Sequence, residues 1–360
     1  RLFDTRDGTG GRATPIGQGE SWAFPIAGLY GVPADATAVA LNVTADGATA
    51  PSYVSVWPGG TVKPFTANLN PVPGLAVPNL AIGQLGPAGS VSFYNNTGSV
   101  NLLADLVGYF TPSSNLRLQP LTPSRLLDTR DGTGDFLGTL AGGQSLNLKV
   151  TGRGGVPTNA KAVALNVTVT EPSSGSYLTV WPAGDTRPLA SSVNMVRGQT
   201  VPNMVFARVG ADGMVSVYNN SGAAHVVVDV VGAFADNAPG RFVALQPSRV
   251  LDTREGYGAP QAPVGQDPLL LRLMGTGGVP GNGVSAVLLN VTAVTPTANT
   301  FITVYPAGGE RPLASNLNAT AGQIIPNMVL ARLGTNGSAA LYNNEGTVDL
   351  VADVMGYFTG

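Results

Sequence analysis

The chain of 360 residues has no cysteine, a single histidine and few charged residues. The lack of cysteine excludes disulfides, thiolate metal sites and cysteine nucleophiles. The one histidine, His225, cannot build a histidine-ligated zinc site of the usual kind. Charged residues make up 11% of the chain, whereas a typical soluble domain has roughly 25%. The composition therefore predicts neither a metal nor a cofactor.

The chain also lacks an excess of charge and a long apolar run. Its 19 basic and 21 acidic residues give a net charge of −2, which is unlike the basic surface of a nucleic-acid-binding protein. No apolar run reaches the ~18 residues of a membrane helix, and the best candidate, 226–231, is interrupted by Asp229. We expect no nucleic-acid partner and no membrane insertion. The 48 glycines and 28 prolines predict many turns, while 43% hydrophobic residues argue against disorder.

One unit of sequence occurs three times at a constant spacing. The segment RLFDTRDG at Arg1 returns as RLLDTRDG at Arg125 and as RVLDTREG at Arg249. The triplet Asn-Val-Thr, the pair Pro-Asn and an aspartate in an apolar strand recur at the same spacing further along. This pattern predicts three homologous domains. Their ranges are 1–112, 113–236 and 237–360, joined by linkers so short that neighbouring domains touch.

Each unit is predicted to be all β. Helical patterns are nearly absent, and short segments rich in Val, Thr and aromatic residues alternate with clusters of Gly, Pro, Asn and Ser. Such spacing is typical of sandwiches and barrels. We expect three tandem β-sandwich domains of jelly-roll type, arranged as a rod or as a pseudo-threefold body. The alternation in 165–169 places Asn166 and Thr168 on a polar face, which predicts an outward ladder and also matches a glycosylation sequon.

Repeat 1 lacks a segment that the other two repeats have. An apolar run, 116–121 or 241–247, precedes the recurring arginine in repeats 2 and 3 and is predicted to be a leading strand. Repeat 1 begins directly at Arg1. We expect either that a precursor supplies this strand or that another segment fills its place.

Acidic and basic side chains recur at fixed positions in the repeats. An aspartate inside an apolar strand requires a partner, because an unpaired buried charge is costly. We therefore predict that the arginine of each Asp-Thr-Arg triplet pairs with the strand aspartate and fixes the first strand against the last. The predicted structural ion-pair residues are Asp4, Arg6, Asp105, Asp128, Arg130, Asp229, Asp252, Arg254 and Asp353.

An aromatic residue followed by proline and, a few residues later, a cation also occurs once per repeat. Such a loop could stack on a sugar ring, and three copies would bind with avidity. The alternative is an aromatic plug at the end of the core, supported by a cation–π contact. The residues are Trp57 with Lys63, Trp181 with Arg187, and Tyr305 with Arg311.

The full set of recurring motifs resembles repeat modules of secreted actinobacterial surface proteins. The resemblance rests on 125–130 (RLLDTR), 164–168 (ALNVT), Pro202-Asn203 and 228–232 (VDVVG), and it covers essentially the whole chain. It implies an extracellular location and modular use, and it transfers no catalytic residue to this chain. We expect a non-enzymatic structural protein of the cell surface that assembles head-to-tail with copies of itself or with other surface proteins. A glycan-binding module is the alternative, and a secreted hydrolase using His225 is the third.

Overall fold

A computed structural model describes every residue from Arg1 to Gly360. The chain is all β, with 24 strands joined mainly by turns. Two three-residue 3-10 turns, Ala211–Gly213 and Thr335–Gly337, are the only helical segments. The dense glycine and proline content thus closes short strands rather than helices.

The strands follow a similar order in each repeat. Repeat 1 contains β1 (Phe3–Asp4), β2 (Ser21–Pro25), β3 (Ala38–Asp46), β4 (Val54–Pro58), β5 (Val77–Gln84), β6 (Ser90–Asn95) and β7 (Asn101–Phe110). Repeat 2 contains β8 (Leu116–Asp128), β9 (Leu140–Ala141), β10 (Ser145–Lys149), β11 (Ala162–Thr170), β12 (Ser176–Pro182), β13 (Val193–Met195), β14 (Val201–Arg208), β15 (Met214–Asn219) and β16 (Ala223–Asp236). Repeat 3 contains β17 (Phe242–Asp252), β18 (Leu269–Arg272), β19 (Val284–Val294), β20 (Thr300–Pro306), β21 (Leu317–Ala319), β22 (Ile324–Arg332), β23 (Ser338–Asn343) and β24 (Asp349–Thr359).

The strands form six small antiparallel sheets, two from each repeat. The sheet orders are β1-β7-β3-β5 and β2-β6-β4 in repeat 1, β14-β11-β16-β8 and β10-β15-β12-β13 in repeat 2, and β17-β24-β19-β22 and β18-β23-β20-β21 in repeat 3. The six sheets are arranged as the blades of a six-bladed β-propeller. The prediction of three tandem jelly-roll-like sandwiches is therefore wrong.

The physical reason is that the inner strands are buried on both faces. In β11 every residue after Ala162 is buried, polar residues included. One face of β11 contributes Leu165 and Val167 to a hydrophobic core that spans repeats 2 and 3. The other face contributes Ala164 to a central core that also holds Ala40 and Leu288 from the other two repeats. A strand pattern read one repeat at a time does not reveal this second contact.

Buried asparagines link the three repeats into a closed ring. The asparagine of each Asn-Val-Thr triplet donates from Nδ2 to a backbone carbonyl of the next repeat, and the third repeat closes onto the first. The predicted outward polar ladder is wrong, because these amides point into the contacts between repeats. The bonds run from Asn42 to Ser191 (2.7 Å), from Asn166 to Ser315 (2.6 Å) and from Asn290 to Ala67 (2.6 Å).

A second set of asparagines, from the Pro-Asn pairs, reinforces the ring in the opposite direction. Each donates from Nδ2 to the Oδ1 of an Asn-Val-Thr asparagine, and its own Oδ1 accepts a backbone N–H from a neighbouring repeat. Every repeat is therefore held by both of its neighbours through buried amides. The side-chain bonds are Asn79 to Asn290 (2.8 Å), Asn203 to Asn42 (3.0 Å) and Asn327 to Asn166 (2.9 Å).

Candidate functional site

The recurring charged residues form one ion-pair cluster in each repeat. In repeat 2, Arg125 donates from Nε to Asp229 Oδ1 at 2.8 Å and from Nη1 to Asp128 Oδ2 at 2.9 Å. Arg130 donates to both oxygens of Asp128, at 2.9 and 2.7 Å. The same geometry recurs with Arg1, Asp4, Arg6 and Asp105, and with Arg249, Asp252, Arg254 and Asp353.

The partner of the strand aspartate differs from the predicted one. We expected Arg6 to pair with Asp105, but Arg1 does so, and Arg6 pairs with Asp4 and Asp46. The reason is register. Arg125 lies directly opposite Asp229 on the neighbouring strand, whereas Arg130 follows the end of β8 and turns back onto Asp128. The sequence could have indicated this pair, because Arg1, Arg125 and Arg249 recur at the same spacing as the strand aspartates.

Burial and arginine contacts shift the carboxyl pKa values in opposite directions. The hydrogen bond from Arg130 lowers the pKa of Asp128 to about 2. Burial opposes ionisation of Asp4 and Asp252 as well, but hydrogen bonds from Arg6 and Arg254 outweigh it and lower the pKa of each. Desolvation prevails for the deeper strand aspartates and raises the pKa of Asp229 and of Asp353, despite their arginine partners.

These shifts predict the order in which two neighbouring carboxyls take up protons. Asp128 should protonate near pH 2, and Asp229 above the ordinary aspartate value of ~3.9. The contribution of Asp128 to the free energy of unfolding should be complete above pH ~3.9 and should be lost as the pH falls toward 2. Because the pKa of Asp229 is raised in the folded chain, its contribution to the free energy of unfolding should instead increase as the pH falls. NMR titration of the carboxyl carbons of labelled aspartate measures the pKa values of Asp128 and Asp229. Protonation of Asp128 before Asp229 would contradict this account.

The aromatic residues proposed for sugar stacking are buried. Trp57, Trp181 and Tyr305 are only 4%, 8% and 7% exposed, so no ring face is open to a sugar. Trp57 and Trp181 also donate from Nε1 to the carbonyls of Thr61 and Asp185. The stacking interpretation is therefore wrong for these rings. The predicted cations stack on other rings: Lys63 on Tyr94 (4.4 Å), Arg187 on Tyr218 (3.5 Å) and Arg311 on Tyr342 (3.8 Å).

His225 takes a place that other side chains fill in the other repeats. Its Nδ1 lies 3.0 Å from Thr129 Oγ1, and that hydroxyl accepts the backbone N–H of Val226. Asn101 and Asp349 accept the corresponding threonine hydroxyls of repeats 1 and 3. The histidine thus shares a local structural contact with two residues that have different chemistry.

A cavity of about 780 Å³ lies where Pro78, Pro202 and Pro326 of the three repeats meet. It also includes Arg1 and Arg6, which are already paired with aspartates. No cluster of three or more His, Cys, Asp or Glu side chains is placed to hold a metal ion. The chain has no helix with the length and apolar character that a bilayer span requires.

The outer edge of β7 is paired less than the corresponding edges of β16 and β24. In repeat 2 the first half of β8 pairs with the end of β16, and in repeat 3 the start of β17 pairs with the end of β24. In repeat 1 only Phe3 and Asp4 pair with β7, opposite Ala104 and Leu103. Beyond Asp105, the outer edge of β7 has no neighbouring strand.

Exposure follows this difference in pairing. The residues of β7 from Leu106 to Phe110 are half-buried, except Tyr109, which is 46% exposed. The equivalent stretch of β16, from Val230 to Phe234, is buried throughout. The open edge therefore exposes residues that the other repeats cover with a leading strand.

Three equivalent glycines, Gly108, Gly232 and Gly356, show how much space lies beside the last strand of each repeat. A Cβ at Gly232 would lie 2.9 Å from Leu118, and one at Gly356 would lie 2.5 Å from Phe242, both on leading strands. A Cβ at Gly108 would meet no atom within 4 Å. Among residues 1–360, no side chain therefore lies above Gly108 as Leu118 lies above Gly232.

A groove runs along this edge between repeats 1 and 2. Two adjoining cavities, of about 410 and 400 Å³, share Val107 on one side and Phe206, Ala207 and Arg208 on the other. The second cavity extends along Gly108 to Phe110, whose ring lies 4.1 Å from that of Phe242. We call this site the β7 groove. The cavity could not be predicted from the sequence, because Phe206 and Arg208 belong to the neighbouring repeat.

The glycines offer a matched pair of substitutions. Gly356→Leu should lower the free energy of unfolding by about 1–3 kcal/mol or more, because its side chain overlaps Phe242. Gly108→Leu should change it by less than about 0.5 kcal/mol, because the site is open and Gly108 is not among the positive-φ glycines. Urea unfolding measures both, and equal losses would show that the β7 edge is covered.

Comparisons with known proteins give no family for this chain. No family model and no curated protein matches it. Among solved structures, a chain from Sulfolobus Turreted Icosahedral Virus is 8% identical over 96% of this chain and 84% of that chain, with a TM-score of 0.19. The N-terminal CBM22-1–CBM22-2 tandem domain from Paenibacillus barcinonensis Xyn10C is 11% identical over 67% of this chain and 98% of that chain, with a TM-score of 0.20. Likeness at these scores carries no argument about function.

Proposed function

We propose that the protein is a non-enzymatic, extracellular structural component of the cell surface that assembles with neighbouring chains. The observation that carries the proposal is that the charged side chains recurring in all three repeats pair with one another within the fold. The neighbouring chain would be a second copy, giving head-to-tail assembly, or another surface protein. An extracellular setting is consistent with the absence of cysteine but rests on the sequence resemblance.

The charged clusters support a structural role over a catalytic one. Each recurring carboxylate of the clusters contacts an arginine, and the same arrangement occurs in all three repeats. His225 contacts the Thr129 hydroxyl, which also accepts a backbone N–H. Burial of Trp57, Trp181 and Tyr305 removes the surface on which the glycan-binding alternative depended.

Light scattering on the purified chain tests self-assembly. The average mass should rise above that of the monomer as concentration increases. A monomer mass at every concentration would overturn the self-assembly proposal.

A further inference from the structure

A groove lies between each ion-pair cluster and the loop that crosses onto it from the next repeat. Between repeats 3 and 1, Arg249 Nη2 donates to the Phe65 carbonyl at 3.2 Å. Between repeats 2 and 3, Arg125 Nη2 donates to the Leu313 carbonyl at 3.3 Å. These bonds hold the backbone of each loop, yet Phe65 and Leu313 are 87% and 93% exposed. The groove between repeats 3 and 1, which we call the 3–1 groove, holds a cavity of about 460 Å³, within the ~300–1,000 Å³ of known ligand pockets.

The walls of the 3–1 groove differ in sequence from those of the two equivalent grooves. Tyr53, Phe65 and Tyr257 line it, so it has three aromatic residues where each equivalent groove has one. Val294 and Ile324 add apolar surface where the other grooves have smaller or polar residues. In the same order, the corresponding residues are Tyr177, Leu189, Thr9, Asp46 and Ala76 in one equivalent groove, and Phe301, Leu313, Thr133, Thr170 and Thr200 in the other. The 3–1 groove therefore offers a ligand a packing surface that the other two grooves lack.

A free hydrogen-bond donor lies in the same cavity. Arg254 donates to Asp252 from Nε and from Nη2, but its Nη1 has no partner. In repeat 1 the corresponding Nη1, that of Arg6, donates to Asp46 at 2.9 Å, and Val294 takes the place of Asp46 in the 3–1 groove. Because the side chain of Arg254 is 45% exposed, this donor is accessible to a ligand.

Two buried polar atoms at the base of the cavity also lack partners. Thr66 and Asn70 line the cavity, and neither Thr66 Oγ1 nor Asn70 Oδ1 forms a hydrogen bond. In repeat 3 the corresponding asparagine, Asn318, accepts the hydroxyl of Ser315 at 3.1 Å, whereas Ala67 stands in place of that serine in repeat 1. Each unsatisfied buried polar atom costs ~1–3 kcal/mol, so hydrogen-bonding groups brought to this base are favourable.

The charges that line the 3–1 groove restrict the class of ligand. Two arginines, Arg249 and Arg254, lie with three acidic residues, Asp252, Glu255 and Asp353. The excess of carboxylates disfavours an anion, and the exposed guanidinium of Arg254 disfavours a cation. A neutral ligand with apolar faces and several hydrogen-bonding groups fits this lining best.

We propose that the 3–1 groove binds a neutral saccharide. A sugar ring has apolar faces that pack on aromatic side chains, and its hydroxyls both donate and accept hydrogen bonds. Phe65 and Tyr257 supply the packing surface, and Arg254 Nη1 donates to a sugar hydroxyl. This site uses different side chains from the buried rings of the aromatic–proline motif. It also goes beyond the proposed structural role, because it does not depend on assembly.

Titration with short neutral oligosaccharides of glucose, mannose, galactose and N-acetylglucosamine tests the proposal. Calorimetry should show binding of at least one of these probes at a single site per chain, because only one of the three grooves has the aromatic wall. Oligogalacturonate and choline, the anionic and cationic probes, should not bind at the same concentration. Lack of binding by every neutral probe, three sites per chain, or equal binding of a charged probe would overturn the proposal.

Variants that give the 3–1 groove the residues of its equivalents locate the site. Phe65→Leu and Tyr257→Thr introduce residues that the same fold already holds at these positions in the other repeats. Together they should weaken saccharide binding about tenfold or more without loss of stability. Thr66→Ala, which also introduces the residue of the other two repeats, should weaken binding severalfold.

Leu313→Ala is the matched control, because it removes the exposed side chain of an equivalent groove and should leave saccharide binding unchanged. Unchanged binding by the double variant Phe65→Leu, Tyr257→Thr, or an equal loss in Leu313→Ala, would overturn the proposal. A chain that binds saccharide and stays monomeric would support this site and contradict only the proposed self-assembly.

Discussion

Replacing Arg125 by methionine should lower the free energy of unfolding by about 3–5 kcal/mol, since it leaves a buried carboxylate without its partner. Asp229 is fully buried, and both of its oxygens accept hydrogen bonds from Arg125. Methionine keeps much of the apolar stem of arginine, so lost packing adds little. Denaturant unfolding at neutral pH measures the loss.

The charge-neutralising double variant distinguishes a lost ion pair from a general packing defect. Arg125→Met with Asp229→Asn should recover part of the stability, because a neutral amide needs no counter-charge. The deficit of the single variant should also shrink at low pH, since burial raises the pKa of Asp229 and protonation then removes the charge. Arg208→Met breaks the exposed pair with Asp185 and should cost less than about 1 kcal/mol. A loss no larger than that of Arg208→Met would contradict the buried-pair account.

Replacing Asn327 by alanine should destabilise the chain by about 3 kcal/mol or more. Asn327 donates to Asn166 Oδ1 and to the Asn316 carbonyl, and it accepts the Met204 N–H at 3.1 Å. All three bonds are buried, and each orphaned group costs ~1–3 kcal/mol. Because two of the three partners belong to repeat 2, the loss should also weaken the contact between repeats 2 and 3.

Asn282→Ala is the control for this substitution, because Asn282 lies in an exposed turn and should change stability by less than about 0.5 kcal/mol. Calorimetry should show one cooperative transition for the unmodified chain, as expected for a closed ring, and a broader transition for Asn327→Ala. If the two asparagine variants unfold alike, the amides do not hold the ring together.

Local features of the structure could be predicted from the sequence. The three repeats follow from the constant spacing of Arg1, Arg125 and Arg249. The need of Asp229 for an arginine follows from its apolar strand and the cost of an unpaired charge. Each of these inferences depends on one repeat and on one physical requirement.

Features that depend on contacts between repeats could not be predicted. The Asn-Val-Thr alternation was interpreted as an outward polar face because nothing in one repeat shows that Ser315 lies opposite Asn166. The sheet arrangement was wrong for the same reason, since the second buried face of β11 becomes apparent only when all three repeats are present. The choice between two recurring arginines depended on strand register, which the strand bulge near Asp229 shifts.

The closed ring makes the three copies of the repeat depend on one another. Each repeat donates an amide to one neighbour and accepts one from the other, so a repeat cut out of the chain would expose two faces that the ring buries. The number of copies is therefore fixed by the geometry of closure, and adding or removing one copy would break the circle.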